Sequence, residues 1–90
     1  MDFEWDGGKR QANLEKHGID FLGASQVFDG RAALEFASPR GEETRHLTVA
    51  ALEDRLIAVV WTWRGKETIR IISARRARDG EERSYRQTFG

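Results

Sequence analysis

Thr68-Ile69-Arg70-Ile71-Ile72-Ser73-Ala74-Arg75 is the stretch on which the fold turns. It is an apolar ladder interrupted by two arginines. A strand sends successive side chains to opposite faces, so Ile69, Ile71, Ser73 and Arg75 share one side and Arg70, Ile72 and Ala74 the other. A guanidinium buried without a partner is costly. A small domain that keeps two in its best strand uses them on an anion or pairs them with its own acids.

The neighbouring segments supply the rest of a sheet. Leu56 to Trp63 is apolar on both faces, as a central strand is. Thr44 to Ala51 alternates, and Leu34 and Phe36 mark a shorter strand, with Ser38 to Glu43 as a loop by composition. Two-residue hairpin loops at Glu53-Asp54 and Gly65-Lys66 would set the register. Leu47 then faces Val60 and Ile71, Arg45 faces Thr62 and Ile69, and Leu56 faces Arg75. In that register Leu47, Val49, Leu56, Ala58, Val60, Ile69 and Ile71 form the core face. His46, Trp61 and Arg70 form a row on the other, where an imidazole, an indole and a guanidinium suit stacked bases and a phosphate.

Helices flank the strands. Phe3-Glu4-Trp5 reads as a first strand. Asp6 caps a helix beginning at Gly7 and ended by Gly18, with Ala12 and Leu14 as its core candidates. Lys9, Asn13 and Lys16/His17 fall on its polar face. Asp20 caps a second helix whose buried stripe is Phe21, Ala24, Val27 and Phe28, and Asp29-Gly30 stops it. Asp79 with Glu82 resembles a capping box before a last helix carrying Tyr85 and Phe89 one turn apart. The expected order is β-α-α-β-β-β-β-α: a single α+β domain over residues 1–90, an antiparallel sheet with helices packed mainly on one face.

Composition narrows the function. The 90 residues hold 15 basic and 15 acidic side chains, so any polyanion must be bound by a local patch rather than by net charge. Twelve of the basic residues are arginine, which favours forked contacts to phosphate or carboxylate. There is no cysteine, which excludes disulfides and thiolate metal sites and fits a reducing compartment. No secretory signal or membrane-spanning run is visible, so the cytoplasm is the expected location. Two histidines without ligand spacing make a metal site a poor prospect, and neither a metal nor another cofactor is expected.

Several of these segments resemble the BrnT toxins. They are Trp5-Asp-Gly-Gly-Lys-Arg-Gln-Ala-Asn-Leu-Glu-Lys-His-Gly18, Phe21, Val27-Phe28-Asp29, Glu43-Thr-Arg-His-Leu-Thr48 and Ile69-Arg-Ile-Ile-Ser-Ala-Arg75. The likeness covers nearly the whole chain. It implies a RelE-like fold and RNA cleavage that arrests translation. It also implies a BrnA-like ribbon-helix-helix antitoxin, through which alone the toxin meets operator DNA. Two positions depart from the family pattern. Gly7 and Gly8 stand where acidic residues are usual, and Arg78 stands where a small hydroxyl residue often caps the last helix, leaving that cap to Asp79.

Metal-independent RNA cleavage needs a base for the 2′-hydroxyl, cations for the scissile phosphate and an acid for the leaving 5′-oxygen. Lys9 and His17 are the candidates for proton transfer, and Arg45, Arg70 and Arg75 for the phosphate. Each has a plain structural reading as well: surface lysine, helix C-terminal imidazolium, or arginine paired with Glu4, Glu35 or Glu67. Asn13, His46, Trp61 and Tyr85 are candidates for RNA contact, Tyr85 serving equally well as a helix anchor. The competing expectation is a non-catalytic module that acts as co-repressor with a DNA-binding antitoxin.

Overall fold

The computed structural model describes residues 1–40 and 43–90. In chain order the elements are β1 (Asp2–Glu4), α1 (Gly7–His17), α2 (Phe21–Ala24) running into a 3₁₀ turn (Ser25–Phe28), β2 (Ala33–Arg40), β3 (Glu43–Leu52), β4 (Arg55–Arg64), β5 (Thr68–Arg76) and α3 (Asp79–Phe89). The five strands form one sheet in the order β1-β5-β4-β3-β2. Four of them are antiparallel neighbours, but β1 runs parallel to β5, so the sheet is mixed rather than wholly antiparallel. A parallel neighbour requires a long crossover, here the whole chain between residues 4 and 68. The loop expected over Ser38 to Glu43 is mostly strand: Ser38 to Arg40 belong to β2 and Glu43 to β3, while Gly41 and Glu42 lie outside the described residues.

Local chemistry sets the helix ends. The Asp6 carboxylate accepts the Lys9 N–H at 2.9 Å, and Gly18 adopts φ 69° to close α1. Asp20 accepts the Leu22 N–H at 3.1 Å. The α3 cap falls one residue earlier than Asp79. Arg78 is the capping residue, and its backbone N–H donates to Glu81 at 2.9 Å. Asp79 is already helical, so Glu81 rather than Glu82 closes the turn.

The register departs from the sequence expectation at β4–β5, for two reasons. The connecting loop has three residues, Gly65 to Glu67, because Arg64 pairs with Thr68. A bulge follows: Trp61 pairs with Ile71 and Val60 with Ser73, leaving Ile72 as the extra residue. A one-residue slip flips every side chain, and a bulge restores the phase beyond it. Arg70 therefore pairs with Thr62 and turns away from Trp61, and Arg75 lies opposite Ala58 rather than Leu56. The expected His46–Trp61–Arg70 row does not exist.

On β3 and β4 the main core lies on the other face from the one expected, while Ile69 and Ile71 of β5 are core as expected. Ala50, Ile57, Val59, Trp61, Ile69, Ile71 and Ala74 pack against Ile19, Phe21, Ala24 and Val27. Phe3 and Phe28 extend this layer, Phe28 meeting Trp61 edge-on at 5.3 Å. The single buried residue of α1 is neither Ala12 nor Leu14 but Asn13. Its amide donates to the carbonyls of Ile19 and Ala74 at 2.9 and 2.8 Å and accepts the Ala74 N–H at 3.1 Å. Asn13 thus satisfies β5 as a neighbouring strand would, just past the point where three-residue β1 ends.

Candidate functional site

The second face of the sheet is where the arginines gather. Val60, Thr62 and Arg64 of β4 alternate away from the core, and Arg70 joins them through its pair with Thr62. On β3, Leu47 pairs with Val60, so Arg45 lies on the same side, one step beyond the last His46–Trp61 pair. Ser38 on β2 pairs with Arg45, and Glu4 on β1 with Arg70. The slip therefore produces a polar row across all five strands: Ser38, Arg45, Thr62, Arg70 and Glu4. Arg75 shares this face, nearer its other end.

Between the sheet and α3 lies a cleft of about 830 Å³. Its floor is apolar, made of Phe36, Leu47, Val60 and Ile72, and Arg45 and Arg78 stand on its rim. This is the usual build of a ligand site, a large apolar surface with a few convergent polar groups. α3 roofs the cleft without a fully buried residue of its own. What ties it down is Arg75, whose two terminal nitrogens donate to both oxygens of Glu81 at 2.8 and 2.9 Å. The fork holds the Glu81 carboxyl below the usual range, and Glu81 raises the guanidinium in return.

The three arginines differ in how firmly they are held. Arg75 and Glu81 are 16% and 18% exposed, a largely enclosed bidentate pair. Arg45 meets Glu43 of its own strand at 3.3 Å, with 38% of its side chain exposed. Arg70 donates to Glu4 at 2.6 Å, and Arg64 approaches the same carboxylate at 4.0 Å. Both pairs are more open to solvent than Arg75–Glu81, so solvent screens them more and an incoming phosphate can compete for these guanidiniums. The enclosed pair gives up more.

The remaining candidates separate. Lys9 is exposed on the first turn of α1, and His17 is half-buried in its last. Neither borders the cleft. Asn13 has no amide group left for RNA, since both ends are spent on Ile19 and Ala74. Trp61 is 3% exposed and donates its indole N–H to Thr48 at 2.8 Å, so it offers no face to a base. Trp63, two residues on, is exposed instead. His46 alone of these lines the cleft, while its ring stacks on Trp61 at 4.4 Å with Glu35 3.6 Å from Nδ1. Tyr85 packs on Phe89 and reaches the Ala32 carbonyl at 3.5 Å, which fits the anchoring role.

Phe36, Ser38, Thr62 and Glu81 were not singled out from sequence as site residues. Only the β2 alternation hinted at Phe36, and the row needs the true register. Among the described residues no three His, Asp or Glu side chains gather as a metal site, and no helix is long and apolar enough to cross a membrane.

Comparison with known proteins places this geometry in a family. Residues 5–81 match the family described as ribonuclease toxin, BrnT, of type II toxin-antitoxin system. The fold is similar to the solved ribonuclease toxin BrnT of Brucella abortus, with a TM-score of 0.72 and 31% sequence identity over 88% of this chain and 99% of that one. No curated protein matches. With the family matched over most of its length and a solved relative of similar fold, the chain belongs to the BrnT family of ribonuclease toxins of type II toxin–antitoxin systems.

Proposed function

We propose that the protein is a metal-independent endoribonuclease that arrests translation in the cytoplasm. A BrnA-like ribbon-helix-helix antitoxin restrains it and alone brings it to operator DNA. The carrying observation is the polar row beside an open cleft. Arg45 and Arg70 are half-buried, each paired with one carboxylate and aligned in one row across the sheet, an arrangement suited to a phosphodiester backbone. In the reaction they stabilise the charge that grows on the scissile phosphate. Arg75 acts differently: it holds α3 over the cleft and is a positioning residue.

Proton transfer is assigned to Lys9 and His17. Lys9, in the first turn of α1, follows Glu4, the partner of Arg70, by five residues along the chain. His17, at the far end of α1, is the second candidate. The test is cleavage of end-labelled single-stranded RNA in excess chelator, with growth arrest read in parallel. The wild type cleaves, a folded Arg45→Ala/Arg70→Ala variant does not, and Lys9→Ala loses kcat more than binding. Loss of all cleavage in chelator, or full activity in the double arginine variant, removes the proposal.

One observation favours the non-catalytic module instead. Arg45, Arg70 and Arg75 each have a carboxylate partner, and the formal net charge is +0. A wild-type chain that cells tolerate and that leaves RNA intact, yet strengthens operator binding by its antitoxin, establishes that reading.

A further inference from the structure

The endoribonuclease reading gives Arg45 a phosphate but leaves the apolar floor of the cleft without a role. Phe36 is the anomaly there. It lies on the edge strand β2, is 43% exposed, and faces the cleft rather than the core. A single exposed apolar ring is ordinary. This one continues a surface made by Leu47, Val60 and Ile72, so it forms one side of a slot.

The register fixes what stands beside it. Phe36 pairs with Leu47, and Ser38 pairs with Arg45. Phe36 and Arg45 are therefore diagonal neighbours on one face, with Cβ atoms separated by roughly 7 Å or less. That spacing is comparable to the distance from a nucleobase to its own phosphate. Ser38, Ser73 and Ser84 add hydroxyls around the slot, each able to donate to or accept from a base edge. An aliphatic ligand would not use the cations, and a bare anion would not use the ring. A nucleotide uses both.

We propose that Phe36 is the base-stacking residue of this cleft, seating the nucleobase next to the phosphate held by Arg45 and so contributing to the choice of cleavage site. The proposal rests on the endoribonuclease reading and extends it from backbone binding to base recognition. Stacking on an aromatic ring tolerates every base, so the preference comes from the serine hydroxyls at the slot and the binding from the ring.

The test uses the full chain and two probes: a single-stranded oligoribonucleotide made uncleavable by 2′-O-methyl groups, and the same backbone without bases. Phe36→Ala weakens binding of the first about 5- to 100-fold. Phe36→Tyr keeps the ring and restores near wild-type affinity. On the abasic probe all three proteins bind alike. Because the ring is on an exposed edge, far-UV circular dichroism and the unfolding midpoint stay close to wild type. Equal affinity of Phe36→Ala and wild type for the base-bearing probe overturns the proposal, as does an equal loss on both probes. Loss of antitoxin binding with RNA binding intact also overturns it, reassigning the ring to the protein partner. A wild-type chain that binds neither probe defeats the endoribonuclease reading itself.

Discussion

Replacing Asn13 by alanine separates a structural role from a binding one. The substitution deletes three hydrogen bonds at once, to the Ile19 carbonyl and to both backbone groups of Ala74, which is 0% exposed. The Ala74 N–H then has no acceptor, and a buried unpaired donor costs about 1–3 kcal/mol. Orphaned carbonyls are better tolerated, and the small cavity adds to the loss. The sum is about 3 kcal/mol, against a total stability of about 5–13 kcal/mol for a chain of this size. In melting temperature that is a fall of about 15 °C. The assay is urea unfolding followed by tryptophan fluorescence, with Asn13→Asp as control. Aspartate keeps an acceptor for the Ala74 N–H but turns a carboxylate toward two carbonyls, so it destabilises at least as much. A variant that unfolds within about 0.5 kcal/mol of wild type while losing RNA affinity would refute this reasoning and return Asn13 to the binding surface.

Three other outcomes are expected. Removing Arg45 and Arg70 lowers the slope of log K against log salt by about 0.7 per lost phosphate contact, and an unchanged slope places the RNA elsewhere. Acid destabilises the fold through carboxylates whose folded pKa is depressed: hydrogen bonds from Arg10 and Arg31 hold Asp20 and Asp29 at about 2, and Arg75 lowers Glu81. Their stabilisation is present above the unfolded pKa values and is lost as pH falls from about 4.5 to about 2, so the urea midpoint drops in that window and not above it. Glu53 sits at φ 58°, in the left-handed region, and Glu53→Gly raises stability by up to about 1 kcal/mol, measured by the same unfolding curve.

The sequence reading succeeded where a single residue decides a local geometry. Asp6, Gly18 and Asp20 act through their own side chain or their own φ, and all three end helices as expected. The Glu53-Asp54 hairpin has the expected two-residue loop, so the β3–β4 register and the Leu47–Val60 pair follow. What failed depended on counting across a turn. Gly65, at φ 70°, suits a loop of two residues or three, and nothing near Ile72 in the sequence announces a bulge. The loop length decided which face carries Arg70, and the bulge decided what lies opposite Arg75. They hid the polar row and made Trp61 look accessible. Asn13 misled for another reason. Helical periodicity put it on a polar face with Lys9, and only tertiary placement shows that β5 lacked a partner there.

The parallel pairing of β1 with β5 has a consequence for biosynthesis. β1 has no partner until β5 is made, since Asp2–Glu4 pairs with Thr68–Arg70. Contacts so distant along the chain form late and slowly. A nascent chain that has not yet reached residue 70 cannot bring Glu4 and Arg70 together, so the polar row is completed only once β5 has been made.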